Sequence, residues 1–244
     1  MVTEFAHALI RWQKSDGRHD LPWQQPGRAD AYRVWLSEIM LQQTQVATVI
    51  PYCARFLARF PDLARLAAAP AEDVMALWSG LGYYARARNL QRAAQEIVAQ
   101  WDGRLPRRAA DIESLPGIGR STAAAIAVFA FGERAAILDG NVKRVLARAF
   151  GIEGFPGEKA VEARLWALAE SLLPQRELVA YTQGLMDLGA TLCLLRRPRC
   201  GDCPVAAQCV ARREGRIAAL PTPRAKRAVP QRAECRCDGS PARS

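Results

Sequence analysis

The sequence predicts an all-α protein. Half of its 244 residues are hydrophobic, which is enough to bury a substantial core. Apolar residues recur along the chain at the three- and four-residue spacing of helices, and proline or glycine interrupts the pattern between segments. Nothing in these segments reads as a β-strand. We therefore expect a core made of helices joined by short turns.

The chain taken in order predicts a series of helices. An amphipathic helix covers residues 2–13, and the segment 31–49 predicts a second helix that bends or loops near Gln42. Proline and glycine then separate shorter helices. The predicted bounds of these are 51–59, 61–68, 71–78 and 83–100. Further helices are predicted over about 121–131, after Asp139, over 158–173 and over 175–192.

A turn with two glycines precedes the most apolar helix of the chain. It covers residues 115–119 and reads LPGIG, so Gly117 and Gly119 let backbone N–H groups point outward where a helix begins. Such a turn can hold a phosphate, although it is also a common helix connector. The helix from Ser121 is too apolar to lie on the surface, so we expect a rigid, buried support beneath the turn.

Two carboxylates have one structural and one chemical interpretation each. Glu38 lies in an apolar run, so it is either on a solvated face or a partly buried acid with a raised pKa, which suits a general acid. Asp139 stands just before a helix and is most simply an N-cap. It is also an acid close to a possible DNA contact. The residues alone leave these alternatives open.

Aromatic residues near arginines also allow two interpretations. Tyr83 and Arg86 follow a glycine-rich turn, a pattern that suits stacking on a base and contact with a phosphate, or else the solvated start of a helix. Trp23 is either a core residue or one wall of a pocket for a flat ligand.

The formal net charge of +10 suits a polyanionic partner such as nucleic acid. Much of this charge lies after Ala211, and arginine supplies nearly all of it, since the only lysines are Lys14, Lys143, Lys159 and Lys226. No apolar run of about eighteen residues exists and the N-terminus carries charges, so neither membrane insertion nor export is expected. We therefore expect an intracellular protein, cytoplasmic and nucleoid-associated in a bacterium.

Four cysteines are grouped after the last predicted helix. They are Cys193, Cys200, Cys203 and Cys209, which gives the spacing C-x6-C-x2-C-x5-C. In a chain without an export signal this spacing favours a metal centre over disulfides, with zinc and a 4Fe-4S cluster as the alternatives. Only one C-x-x-C pair is present and both histidines lie far away, which favours the 4Fe-4S cluster.

Three arginines lie inside the first loop of this cysteine group. If a metal centre pins the loop, they are presented rigidly and could grip a phosphate backbone, whereas a solvated basic loop is the alternative. These residues are Arg196, Arg197 and Arg199. Cys53 is expected to be a buried packing residue, and Cys235 and Cys237 lie in the tail without partners of suitable spacing.

Five features together resemble the helix-hairpin-helix, iron–sulfur DNA glycosylases, and among them the adenine-specific members. They are residues 37–46 (SEIMLQQTQV), 80–90 (GLGYYARARNL), 115–123 (LPGIGRSTA), 137–145 (ILDGNVKRV) and the four cysteines. The resemblance covers about residues 5–221 and implies an all-helical fold with two lobes. The implied parts are a six-helix barrel with the hairpin over 30–137, an iron–sulfur domain formed by 1–29 and 138–220, and a basic, disordered tail over 221–244.

The resemblance implies a role for each carboxylate. Glu38 would protonate N7 of adenine so that the base can leave, and Asp139 would stabilise the oxocarbenium-like sugar or bond to it transiently. Asn141 would orient Asp139 or the attacking water. Gln43 would fill the gap left by the flipped base while Tyr83 inserts beside the opposite base. The other implied contacts with DNA or adenine are Trp23, Leu41, Gln42, Thr44, Arg86, Gly117, Gly119, Ser121 and Gln183.

The resemblance also implies the reaction and the partner. Endonuclease III and other bifunctional relatives carry a lysine where this chain has Ser121, so we expect a monofunctional glycosylase that leaves an intact abasic site. The expected partner of the monomer is duplex DNA with an A:8-oxoguanine or A:G mispair, and the 4Fe-4S cluster would be structural. A DNA-binding remnant without catalysis, a lyase like endonuclease III and a zinc-stapled domain are the alternatives.

Full-length adenine-specific members of the family continue into a second, Nudix-like domain that reads 8-oxoguanine. The residues after Pro221 show nothing that resembles it. From this we expect adenine excision to persist with a weaker preference for 8-oxoguanine over guanine, whether the chain is truncated or its tail is read in an altered frame.

Overall fold

The computed structural model describes residues 2–24 and 30–225, and every regular element in these ranges is helical. The prediction of an all-α protein is therefore confirmed. Within the same ranges, no helix has the length and apolar character needed to cross a membrane. Most of the predicted tail, including Lys226, Cys235 and Cys237, falls outside the described residues.

The described residues contain twelve α-helices. They are α1 (Val2–Asp16), α2 (Ala31–Leu41), α3 (Val46–Arg59), α4 (Leu63–Ala68), α5 (Ala71–Trp78), α6 (Ala85–Gln100), α7 (Ala109–Glu113), α8 (Arg120–Phe131), α9 (Gly140–Phe150), α10 (Lys159–Ser171), α11 (Leu178–Asp187) and α12 (Val210–Arg213). A π-helical turn, Leu188–Leu192, continues α11, and a 3-10 turn, Ala206–Gln208, precedes α12.

The helix boundaries match the sequence pattern in some places and not in others. The bounds of α5 are as predicted. The bend or loop predicted near Gln42 and Gln43 is confirmed, since the chain turns after α2 with Gln43 in the left-handed conformation (φ 57°) and α3 follows. The helix start predicted at Pro51 was wrong, since this proline lies inside α3. The short α7, which the pattern did not reveal, is the first helix of the hairpin.

The helices enclose two hydrophobic cores. The first lies among α2–α8 and contains large buried side chains such as Trp35, Phe56 and Trp78. The second lies mainly among α1 and α9–α11 and contains Phe5 and Tyr181. Removing these apolar surfaces from water supplies most of the drive for the helices to pack.

α8 is shared by the two cores. Ala123, Ile126 and Ala127 pack in the first core, whereas Ala124 and Ala125 pack in the second. A helix that is apolar on every side has to be buried, and the predicted burial of this helix is confirmed. The glycine turn at the start of α8 therefore stands on a helix that packs in both cores.

The two cores refine the predicted domain boundaries. Leu21 and Trp23 pack in the first core, although the resemblance placed residues 1–29 with the other lobe. The chain therefore crosses to the first core between α1 and Leu21. At the other boundary Ile137, expected at the end of the barrel, packs in the second core.

Candidate active site and nucleic-acid interface

The hairpin formed by α7, the glycine turn and α8 has the features of an anion site. Gly117 has a φ of 77°, and a Cβ there would lie 2.7 Å from Asn89 Cβ, so conformation and space both require glycine. Gly119 is the N-cap of α8, and a Cβ there would meet no protein atom within 4 Å. The first N–H groups of a helix lack helical partners and attract negative charge. The surface at Gly119 is therefore open to a phosphate.

Gln42 connects the turn between α2 and α3 with the hairpin. Its Nε2 lies 3.4 Å from the carbonyl oxygen of Gly117, 75 residues along the chain, and 3.4 Å from Thr122 Oγ1. The turn after α2 thus lies against the glycine turn. Residues from two distant motifs consequently form one surface.

Glu38 lies on α2 and retains some exposed surface although protein atoms surround its carboxyl. Burial raises its pKa from 4.5 to about 8, and the nearby charge of Asp139 adds to the shift. The protonated form therefore predominates at neutral pH. Of the two interpretations that the sequence allowed, the partly buried acid describes the structure.

Asp139 is the helix cap that the sequence allowed, and it also lies close to Glu38. It is the N-cap of α9, and its Oδ1 accepts a hydrogen bond from the Val142 N–H at 2.7 Å. It is also near enough to Glu38 for its charge to act on that carboxyl. Ser121 Oγ accepts the Leu138 N–H at 2.9 Å, so the start of α8 fixes the segment that leads to Asp139.

Asn141 is held by an arginine that the sequence analysis did not single out. Its Oδ1 accepts a hydrogen bond from Arg144 Nη2 at 2.7 Å, and the same Nη2 donates to the Gly189 carbonyl at 2.7 Å. Arg144 Nε donates to the Cys193 carbonyl, also at 2.7 Å. The first turn of α9 is therefore tied to the first cysteine of the group. The three-residue spacing of Asn141 and Arg144 on a helix was the available signal.

Gln43 and Tyr83 protrude from neighbouring turns in a rare conformation. Their φ angles are 57° and 51°, in the left-handed region that residues other than glycine seldom adopt. Gln43 is exposed, and 58% of the Tyr83 surface is exposed. Such conformations persist where the surrounding structure imposes them, and they are frequent at ligand-binding sites.

Arg86, predicted to contact DNA, is only 8% exposed. Its guanidinium donates hydrogen bonds to the carbonyls of Met40 (2.7 Å) and Gln42 (2.5 Å) and to Thr44 Oγ1 (3.0 Å). The structure therefore corrects the prediction, because both terminal nitrogens of Arg86 donate to acceptors within the protein and do not face a phosphate.

The predicted adenine contacts lie in different parts of the fold. Trp23 is buried in the first core, and Leu41 packs against this core. Gln183 is buried on α11, where its Nε2 donates to Asp187 Oδ1 at 2.8 Å. Asp187 also accepts hydrogen bonds from the backbone N–H and Nε of Arg18. The sequence analysis missed the hydrogen bond between Gln183 and Asp187, although their four-residue spacing places both side chains on the same helix face.

The four cysteines line one cavity, together with apolar residues of α9 and the π-helical turn. Arg148 Nη1 donates to the Leu194 carbonyl at 2.6 Å and lies 3.5 Å from Cys193 Sγ. Burial is the main cause that raises the pKa of Cys203 to about 11, and the other three thiols add to it. In the part of the chain that the structure describes, no three His, Cys, Asp or Glu side chains are arranged to hold a single metal ion.

The arginines of the loop after Cys193 are exposed. Arg197 adopts the left-handed conformation with a φ of 51°, and Arg199 pairs with Asp202 at 2.8 Å. An exposed ion pair of this kind is weak, so Arg199 can exchange Asp202 for another anion at little energetic cost.

A family model for the HhH-GPD superfamily base excision DNA repair proteins matches residues 36–171, more than half of the chain. The chain belongs to the HhH-GPD superfamily. The HhH-GPD match includes Glu38, the hairpin and Asp139, whereas Trp23, Gln183 and the four cysteines lie outside it.

Several adenine DNA glycosylases are similar to this HhH-GPD chain over most of its length. The protein of Buchnera aphidicola subsp. Acyrthosiphon pisum is 42% identical over 228 residues, which cover 93% of this chain and 65% of the relative. The human protein is 44% identical over 218 residues, which cover 86% of this chain and 40% of the relative. The chain thus spans less than two thirds of the length of either relative.

Solved structures share the HhH-GPD fold. A thermostable thymine-DNA glycosylase has a TM-score of 0.77 and 29% identity, with 87% of this chain and 97% of that chain covered. A non-covalent endonuclease III–DNA complex has a TM-score of 0.71 and 21% identity, with 88% and 98% covered. The predicted helix-hairpin-helix glycosylase fold is confirmed.

Proposed function

We propose that this protein is an adenine DNA glycosylase that hydrolyses the N-glycosidic bond of adenine mispaired with 8-oxoguanine or guanine in duplex DNA. One observation carries the proposal: Glu38, a carboxyl group that protein atoms surround, lies near Asp139 in the region that the superfamily model matches, beside a hairpin suited to a phosphate. The similarity to bacterial and mammalian adenine DNA glycosylases supports adenine as the base. The protein would act as a monomer.

Glu38 and Asp139 would divide the chemistry between them. Glu38 donates its proton to N7 of adenine while the bond between C1′ and N9 breaks, and the bonding electron pair leaves with the base. Asp139 stabilises the positive charge that develops at C1′. A water then adds to C1′ and gives its surplus proton to the carboxylate left at Glu38. Asn141, held by Arg144, would orient this water or Asp139. The products are free adenine and an intact abasic site.

The target base has to leave the stack to reach Glu38. Gln43 and Tyr83 protrude at the surface. Gln43 would occupy the space that the base vacates, and Tyr83 would insert beside the opposite base. The N–H groups at Gly117 and Gly119 would hold a phosphate of the strand. Gln42 supports this surface by linking the turn after α2 to the hairpin.

Gln183 would recognise the exocyclic amine of adenine. Its Nε2 donates to Asp187, which leaves Oε1 as the free acceptor for the N6 amino group. Guanine carries an oxygen at the corresponding position and would place two acceptors against each other. Trp23 and Leu41 would supply apolar surface to the same pocket.

A single-turnover assay tests the proposed reaction on a duplex with one adenine opposite 8-oxoguanine. We expect strand breaks only after alkali, because Ser121 has no amine with which to form a Schiff base and cut the strand. Breaks without alkali would replace the proposal by a lyase like endonuclease III. Tight binding without any product would replace it by a DNA-binding protein that lacks catalysis.

The cysteine group fits a 4Fe-4S cluster. Four thiols surround a single cavity with mainly apolar walls, and a cluster is held by four cysteine thiolates. Cys193, Cys200, Cys203 and Cys209 would be the ligands. The cluster would crosslink the segment 193–209 and present its arginines, and it supplies no chemistry to hydrolysis of the base.

Anaerobically purified protein should contain iron and sulfide, about four of each per chain, and show a broad absorbance in the blue. Cys203→Ser is expected to lower the iron content and the thermal stability, because one ligand of a buried centre is lost. The matched control is Cys53→Ser, which makes the same change at a buried cysteine of the other core. Zinc in place of iron would contradict the proposed cluster.

A further inference from the structure

Arg86 lies beneath both of the turns that carry the protruding residues Gln43 and Tyr83. On one side its Nη1 donates to the Gln42 carbonyl at 2.5 Å and its Nη2 to Thr44 Oγ1 at 3.0 Å, so it bonds to the residues before and after Gln43. On the other side Nη2 donates to the Gly82 carbonyl at 3.3 Å, directly before Tyr83.

The same guanidinium is fixed by aromatic rings. Its Cζ lies 5.3 Å from the centroid of the Tyr83 ring and 5.4 Å from that of the buried Trp78. Trp78 Nε1 donates to the Gly82 carbonyl at 3.0 Å, so this oxygen accepts from both Trp78 and Arg86. The Tyr83 turn is therefore held from below by a buried ring and a buried cation.

Arg86 also forms hydrogen bonds with the C-terminal turn of α2. Nη1 also donates to the carbonyls of Ile39 (3.2 Å) and Met40 (2.7 Å), which belong to the last turn of the helix that carries Glu38. The last carbonyls of a helix have no helical partner, and Arg86 satisfies two of them in α2. The two terminal nitrogens of the planar guanidinium carry four N–H donors, and those of Nη1 are shared among three carbonyls, whereas a lysine ammonium is a point charge with three donors.

Both protruding residues hold left-handed backbone conformations, which need such external support. We infer that Arg86 is a positioning residue that couples Gln43 to Tyr83, so that the two side chains enter the duplex as one unit when the adenine is extruded. The inference rests on the proposed function, because it takes Gln43 and Tyr83 as the inserting residues. It adds a cause for their joint placement in a residue that does not itself reach the DNA.

Base extrusion can be measured with 2-aminopurine, an adenine analogue whose fluorescence rises when it leaves the stack. The duplex carries it opposite 8-oxoguanine, and the Glu38→Gln background prevents excision. In this background Arg86→Lys is expected to slow the fluorescence rise about ten- to a hundredfold, because a small displacement of positioned groups has an effect of this size. Arg88→Lys, the same change at an exposed arginine of α6, is the matched control and should leave the rate unchanged.

A second measurement separates positioning from loss of structure. Binding to a duplex that already contains an abasic analogue needs no base extrusion, so the Kd of Arg86→Lys for it is expected to stay within about threefold of the parent value. Equal loss of this binding and of extrusion would overturn the inference. If Arg86→Lys does not fold, Thr44→Val removes one acceptor of Arg86 with little change in shape and is expected to slow extrusion to a smaller extent.

The coupling itself is tested with Gln43→Ala, Tyr83→Ala and the double variant. Each single variant lowers the rate of extrusion by some factor. With Arg86 present, the double variant should extrude the base at least about tenfold faster than the rate obtained by multiplying these two factors. In the Arg86→Lys background the two effects should simply multiply. Effects that multiply in both backgrounds would overturn the coupling while leaving the inserting roles intact. If neither single variant alters extrusion, the inserting roles in the proposed function are wrong, and the inference fails with them.

Discussion

Glu38→Gln is expected to abolish base excision while binding to the mispaired duplex persists. Glutamine has the size of glutamate but carries no acidic proton, so N7 of adenine stays unprotonated when the bond to the sugar has to break. A positioned general acid contributes about 10²- to 10⁴-fold to a rate. The single-turnover rate should fall by a factor in this range, and the Kd for the duplex should change by less than about threefold because the shape of the site is kept.

The matched control makes the same change on the exposed first turn of α5. Glu72→Gln removes one carboxylate far from the hairpin and should excise adenine at the parent rate. Excision by Glu38→Gln at a rate near that of the parent would show that another group, or water, protonates the base.

The pH dependence of the unmodified protein checks the same assignment. The pKa of Glu38 is raised from 4.5 to about 8, so the acid is protonated below that pH and loses its proton above it. The kcat/KM for excision is therefore expected to be level through neutral pH and to fall about tenfold per pH unit beyond about pH 8. A fall that begins near the ordinary pKa of glutamate would contradict the raised value.

The glycine turn could be predicted from the sequence because its requirements are local. A positive φ at Gly117 and a helix capped by Gly119 follow from five consecutive residues. The burial of α8 was predictable for a similar reason, since its composition excludes a solvated face. Such features depend on few distant contacts.

Features that depend on distant contacts could not be read in the same way. The interpretation of Glu38 stayed open because its pKa depends on burial by packed helices and on the charge of Asp139. The role of Arg86 was predicted wrongly because its partners at the end of α2 and in the turn that follows lie 42 to 47 residues earlier in the chain. The pair of Arg18 and Asp187, 169 residues apart, gave no local signal at all.

Asp139→Asn is expected to separate the chemistry of this residue from its part in the fold. Asparagine keeps an oxygen that can accept the Val142 N–H, so α9 retains its N-cap and the stability should change by less than about 0.5 kcal/mol. The negative charge that would stabilise the sugar cation is lost. Single-turnover excision should therefore fall by at least about 10²- to 10³-fold, the usual effect of removing one such electrostatic group.

Asp62 provides the matched control, because it caps α4 in the same way by accepting the Arg65 N–H at 2.8 Å. Asp62→Asn should leave both stability and excision unchanged. The alanine variants of Asp62 and Asp139 should each lose about 1 kcal/mol of stability through the lost cap. Only the variant at Asp139 should lose excision as well. Equal excision by Asp139→Asn and the parent would show that this residue is a cap and nothing more.

The residual activity of Asp139→Asn carries further information about Glu38. The charge of Asp139 helps to raise the pKa of Glu38, so its removal should lower that pKa and move the alkaline fall in activity to a lower pH. Because burial is the larger cause of the raised pKa of Glu38, the fall in activity should still begin at a pH above 4.5, the ordinary pKa of a glutamate. A fall that does not move would mean that the two carboxyl groups do not act on each other. The fall is expected to move because the fold places Asp139 close enough to Glu38 for its charge to act on that carboxyl group.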